Sequence, residues 1–301
     1  MPLRHSFFDD PLLRLTPPLE LNDPFDSKPT KEGIGKKIKF LLDEASENGN
    51  SHTDTLNLKS IYEKDLRNGL NEFGVISLTE DPYNLVMWSH YAAQHKGIVI
   101  SVRCNSSTFE YHDTLTEKCG ISKKVPQRVT YTDRRPGFEM PEETIYEYFE
   151  QNFFSHFAMS KSNDWSYEKE HRYLIRLSEA DVAIINARSD EWANIQTDDF
   201  KVTHLEDLKF KVEAKESSKR CLLPAFLALN GGARYVKDVT LYKRLSRNAL
   251  VGVYFGCRVA DHKIGQVRAN IERSQYIEDS VKLYRGVVSQ DRFEIDFQRL
   301  K

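Results

Sequence analysis

The sequence predicts a single-domain α+β fold, with short mixed or antiparallel strands and flanking helices. Strand-sized apolar runs recur at 74–79, Ile98–Val102 and Leu250–Phe255. Helical stripes at i, i+3, i+4, i+7 are few and bounded by turn residues. The two element types do not alternate in the regular way that builds a parallel sheet. The 301 residues read as one unit, with a motif-bearing core at 11–180 and C-terminal strands and a helix at 181–301 that complete it.

Residues 11–26 hold four prolines, which rule out a continuous helix. A short strand is expected at 12–16. Asn22-Asp23-Pro24 is a turn signal, because Asn and Asp bond their own backbone and Pro presets φ. Residues 31–72 read as helical with a polar, loop-like break at 44–55. Gly33 and Gly35 resemble the start of a dinucleotide fingerprint, but no strand precedes them and no third glycine follows.

The next unit is the clearest. A strand at 74–79 puts Ser77 and Thr79 on one face. Asp81 reads as an N-cap and Pro82 as the first helical residue. The helix is expected over 84–96, with Trp88, Tyr91, Ala92 and His95 on one face and His90 on another. Gly97 stops it, and a strand follows at 98–102. Residues 104–124 read as loop and 128–132 as a short strand. Pro141 opens another helix, with Glu142 and Glu143 in its first turn and an apolar stripe of Ile145, Tyr148, Phe149, Phe153, His156 and Phe157. Residues 164–177 read as a turn and a strand. Further on, 182–185 is strand-like, 211–220 a charged loop, 250–255 a strand and 261–275 a helix. Runs 281–288 and 293–297 suit a terminal hairpin.

Composition excludes several classes. Hydrophobic residues make up 40% and charged residues 29%, the mix of an ordinary globular chain. A net charge of -2 gives no global electrostatic case for nucleic acid or an anionic membrane. The four cysteines form no C-x-x-C pair and read as free thiols in a reducing cytoplasm. The first ten residues contain Asp9 and Asp10 and no apolar stretch, so no signal peptide is expected. No run reaches eighteen apolar residues, so no membrane span is expected. A cytoplasmic protein follows.

The densest chemistry lies at Trp165-Ser-Tyr-Glu-Lys-Glu-His-Arg172. Alternation along an extended chain would put Glu168, Glu170 and Arg172 on one face and His171 on the other. Two carboxylates beside a cation suit catalysis, and they suit ordinary ion pairing with Lys169, Arg172 or Arg176 equally well. Exposed pairs of that kind contribute only ~0–1 kcal/mol. No H-E-x-x-H, G-x-S-x-G or Walker spacing is present, so no metal site, serine hydrolase or P-loop is expected.

Leu21-Asn-Asp-Pro-Phe-Asp26, Met87-Trp-Ser-His-Tyr-Ala92 with His95-Lys-Gly97, and Trp165 to Arg172 occur in that order. Together with Phe255-Gly-Cys257 they resemble the bacterial domain-of-unknown-function family twenty-nine seventy-one. That family supplies no agreed activity. The order of an early Arg or His, a Ser-x-Thr strand and a late Glu-x-Glu is also similar to ADP-ribosyltransferases. This second resemblance implies a transferase-like core and NAD as substrate. Glu170 would hold the ribose and offset the positive charge of the transition state, and Glu168 would orient the nucleophile. Arg14, or else His5, would meet the pyrophosphate or ribose. Ser77 and Thr79 would shape the nicotinamide pocket, with Trp88, Tyr91 and His95 as the stacking face.

The corresponding expectation is an NAD-consuming effector of the toxin or phage-defence kind. It would act on a macromolecular acceptor, protein or nucleic acid. Two alternatives stand beside it. One is a nuclease-type effector using Glu168, Glu170 and Lys169 or His171. The other is a non-enzymatic binding or regulatory module whose basic segments, 128–135 and 237–247, meet a nucleic acid or an acidic partner.

Overall fold

The computed structural model describes residues 6–28, 30–47, 73–111, 124–135, 157–195, 197–230 and 236–301. In chain order these form β1 (Leu12–Arg14), α1 (Lys31–Glu47), β2 (Phe73–Thr79), α2 (Leu85–Tyr91), β3 (Ile98–Val102), β4 (Gln127–Arg128), β5 (Thr130–Thr132) and β6 (Ser160–Ser162). There follow β7 (Glu170–Arg176), β8 (Val182–Ala187), β9 (Phe200–His204), β10 (Lys209–Ala214), α3 (Leu223–Asn230), β11 (Val236–Arg244), β12 (Leu250–Phe255), α4 (Asp261–Arg273), β13 (Lys282–Val288) and β14 (Ile295–Arg299). The fold is α+β. The helix expected after Pro141, the remainder of the polar break from 48 onward, and His5 lie outside the described residues.

A five-stranded antiparallel sheet runs β1-β11-β8-β10-β9, and a four-stranded sheet runs β14-β13-β12-β3. A smaller sheet runs β2-β7-β4, and β5 pairs with β6. Buried Leu15, Ile76, Tyr173, Ile185, Trp192, Phe210, Val253 and Phe255 join these sheets in one core. The terminal hairpin forms as expected, with β13 and β14 antiparallel.

Three expectations need correction. The charged run 211–220 is not a loop: β10 occupies its first part, and 3₁₀ turns at Ser217–Leu222 the rest. There, alternation puts Phe210 and Val212 in the core and leaves the charges on the other face, so a charge-rich strand reads as a loop. The helix after β2 is shorter than 84–96. Asn84, not Asp81, caps it, accepting from the Val86 and Met87 amides, and it ends at Tyr91. Ala93, Gln94 and His95 then take left-handed φ values of 48°, 54° and 67°. Finally, the segment before β7 is not extended. It is a 3₁₀ helix, Asn163–Glu168, closed by Lys169 at φ 46°.

Two of the sequence motifs meet in space. The Gly256 amide donates to the Gly97 carbonyl at 3.1 Å, and the Arg258 amide to the His95 carbonyl at 3.1 Å. A Cβ on Gly256 would lie 2.2 Å from the His95 carbonyl oxygen, so only glycine permits this approach. The left-handed 93–95 turn is thereby held against the end of β12.

Candidate functional site

The remaining motifs converge on a buried charge cluster. Asn22-Asp23-Pro24 forms the predicted turn, with Asp23 Oδ1 accepting from the Phe25 amide at 2.9 Å. This delivers Asp26 inward onto Arg172 of β7. Arg172 is 1% exposed, and all five of its guanidinium N–H groups have acceptors. Nε and Nη2 donate to the two Glu170 oxygens at 2.8 and 2.9 Å, and Nη1 and Nη2 donate to Asp26 at 2.8 and 2.5 Å. The fifth donates to the Ala158 carbonyl at 2.6 Å.

Lys161 of β6 closes the cluster, donating to Glu168 at 2.6 Å and to Glu170 at 3.1 Å. No sequence signal marks Lys161, which lies in a three-residue strand four residues before the Trp165–Arg172 motif. Glu168 and Glu170 do share one site, as alternation predicted, but by a different route. The 3₁₀ turn swings Glu168 in, and Thr79 Oγ1 fixes that turn by donating to the Glu168 carbonyl at 2.7 Å. Three carboxylates against two cations leave one formal net negative charge, sealed from water.

Burial works to raise the Glu170 pKa, but Arg172, Lys161 and the Ser77 hydroxyl outweigh it and hold the group at about 2. Burial likewise opposes the charged form of Lys161, and Glu170 and Glu168 override it, so its pKa rises. The Tyr91 hydroxyl donates to Glu168 at 2.6 Å. Burial, then that bond, push its phenol far above the ordinary range, so Tyr91 stays protonated.

Beside the cluster lies a cleft of about 680 Å³. Just past β1, Thr16 makes a single antiparallel bridge to Val75 of β2. Beyond it β1 and β2 splay, and the same register carried on would set Arg14 opposite Ser77. Both line the gap, with Asn22, His90, Tyr91, Trp165 and Tyr242 around it. Arg14 pairs with Glu20, and its Nε is buried with no partner among the described residues. Ser77 is exposed into the cleft. Trp165 also carries Lys161 over its ring, 4.9 Å from the centroid.

Not every predicted site residue comes to this cleft. Trp88 is buried core, its Nε1 donating to the Pro82 carbonyl at 2.7 Å. Because the helix ends at Tyr91, His95 does not share its face. It stacks on Trp88 at 6.4 Å, and burial followed by Arg258 lowers its pKa. Thr79 holds the Glu168 turn and does not line the cleft. Glu168 and Glu170 lie behind its wall, next to Tyr91 and Ser77. Within the basic segment 237–247, Lys243 is engaged with Asp181, and Arg244 with Asp10 and Glu213.

Among the described residues, no group of three or more His, Cys, Asp or Glu is placed to hold a metal, and no helix is long and apolar enough to cross a membrane. The site defines an α+β protein with a sealed carboxylate–guanidinium cluster backing an open, aromatic-lined cleft. A family model described as "Protein of unknown function (DUF2971)" matches residues 87–173, so over that stretch the chain is similar to that family. The match spans most of α2, the 93–97 turn and most of β7, the elements that carry two of the motifs. No curated protein matches the chain, and no solved structure does.

Proposed function

We propose that the cleft binds NAD and that the protein is an ADP-ribosyltransferase-like enzyme, passing ADP-ribose to water or to a macromolecular acceptor. One observation carries this reading. Arg14 on β1 and Ser77 on β2 line a single cleft of about 680 Å³, and the Ser77 side chain hydrogen-bonds to Glu170 on β7. That volume falls within the ~300–1,000 Å³ of small-molecule sites. The aromatic rings of Tyr91 and Trp165 suit a planar base, and the unpartnered Arg14 Nε suits a phosphate oxygen.

Neither Glu170 oxygen is free to touch a ligand, since Arg172 and Lys161 occupy both. Its contribution is therefore a fixed field. Negative charge in a dry wall stabilises the oxocarbenium-like sugar as nicotinamide departs, and the Ser77 and Tyr91 hydroxyls stand between that charge and the cleft. Orientation of a nucleophile by Glu168 would likewise act through Tyr91.

Release of nicotinamide from NAD by the purified protein tests the reading, with Arg14→Ala and Ser77→Ala for comparison. Turnover that falls in both variants, with folding intact, supports it. No turnover in the wild type sinks it. A second reading also has an observation behind it: every carboxylate of the cluster is paired, as in a purely structural device. On that reading the protein is a binding module, and neither variant alters any activity.

A further inference from the structure

The proposed chemistry needs a proton acceptor that faces the ligand. When the glycosidic bond breaks, its electron pair leaves with the nicotinamide nitrogen. An oxygen of water or acceptor bonds to the anomeric carbon and must lose its proton. Glu168 and Glu170, the obvious bases, are walled off and ion-paired.

Few titratable groups line the cleft itself. Glu20 is paired with Arg14. Tyr91 donates its proton to Glu168 and is held protonated. Tyr242 offers a phenol, neither an imidazole nor a carboxylate. His90 remains.

His90 is exposed, on the last turn of α2, and lines the cleft with Arg14, Ser77 and Trp165. Its ring is flanked edge-on by Tyr91 and Tyr167, with centroids at 6.2 Å on both sides. Nδ1 lies 3.4 Å from the Tyr167 hydroxyl, and Nε2 makes no hydrogen bond among the described residues. With the proton on Nδ1, Nε2 presents a lone pair. The charged and titratable groups around it are Tyr167 on the 3₁₀ turn, Tyr91 on its own helix with Glu168 behind, and Arg14 and Glu20 across the cleft. None of these carboxylates pairs with it. Imidazole is the side chain whose charge ordinarily changes near neutral pH.

We infer that His90 is the general base of this cleft, taking the proton of the attacking hydroxyl on Nε2 and returning it to solvent after nicotinamide leaves. The inference rests on the NAD reading above. Its test is the pH profile of nicotinamide release by the full chain, for wild type, His90→Asn and His90→Ala. We expect kcat/KM to fall on the acid side in the wild type. In His90→Asn it should drop about 10²-fold or more and lose that acid limb, with thermal unfolding unmoved. Added imidazole should restore part of the His90→Ala rate.

Wild-type turnover with His90→Asn within about twofold, or with the acid limb retained, overturns the assignment of His90 and leaves the NAD reading standing. Absence of nicotinamide release by the wild type overturns both.

Discussion

Replacing Arg172 with Met removes the guanidinium from between Asp26 and Glu170 and leaves its aliphatic volume roughly filled. Five hydrogen bonds go, four of them to carboxylates. Asp26, 3% exposed, keeps only a Ser27 hydroxyl at 3.3 Å and a distant Lys161 at 4.0 Å. Glu170 keeps Lys161. Stranding buried carboxylates in this way costs about 3–5 kcal/mol, a large share of the roughly 5–15 kcal/mol that separates folded from unfolded domains. Equilibrium urea unfolding should show that loss. Arg172→Lys should also destabilise, because an ammonium offers three donors where five are used and cannot fork to two carboxylates at once. On an Asp26→Asn, Glu170→Gln background the Met substitution should cost much less, since no anion is left without a partner. Arg172→Met within about 1 kcal/mol of wild type would refute the view that this cluster is closed and interdependent.

Other outcomes follow from single contacts. Because the folded Glu170 pKa is held at about 2 against an ordinary 4.5, its contribution is complete above pH 4.5 and is lost as pH falls toward 2. That contribution is about 3 kcal/mol, and Glu170→Gln should flatten stability against pH in that window; an unchanged slope counts against it. Gly256→Ala forces a Cβ into the His95 carbonyl and should cost about 1–3 kcal/mol, read as a lowered unfolding temperature. Tyr91→Phe takes a donor from buried Glu168 and should destabilise by about 1–3 kcal/mol, less if Lys161 tightens to compensate.

Local signals made much of the fold legible. Turn chemistry located the 22–24 corner, and apolar runs located β2, β3, β12 and the terminal hairpin. Where polarity and structure diverge, the reading failed. Charge-rich β10 hides its core residues in every second position, and the left-handed 93–95 turn is imposed by contact with β12, which no local window contains. At the site, Glu168, Glu170 and Arg172 were legible because they crowd one motif. Lys161 and the bidentate role of Asp26 were not, because only the packed chain brings β6 and the 22–26 turn to β7. The same holds for the cleft, whose opening depends on β1 and β2 parting after one bridge.

The pairing of β1 with β11, and of β3 with β12, has a consequence for biosynthesis. Every motif residue through Arg172 emerges from the ribosome before β11 exists. Until β11 arrives, β1 has no partner on that side, and Arg14 and Tyr242 cannot face one another. Pairings of such long sequence separation close slowly, and the waiting strand edges are ready to join another chain. The nascent protein thus carries its charge-bearing residues well before it carries a cleft, and whatever the cleft does can begin only when the last quarter of the chain has folded onto the first.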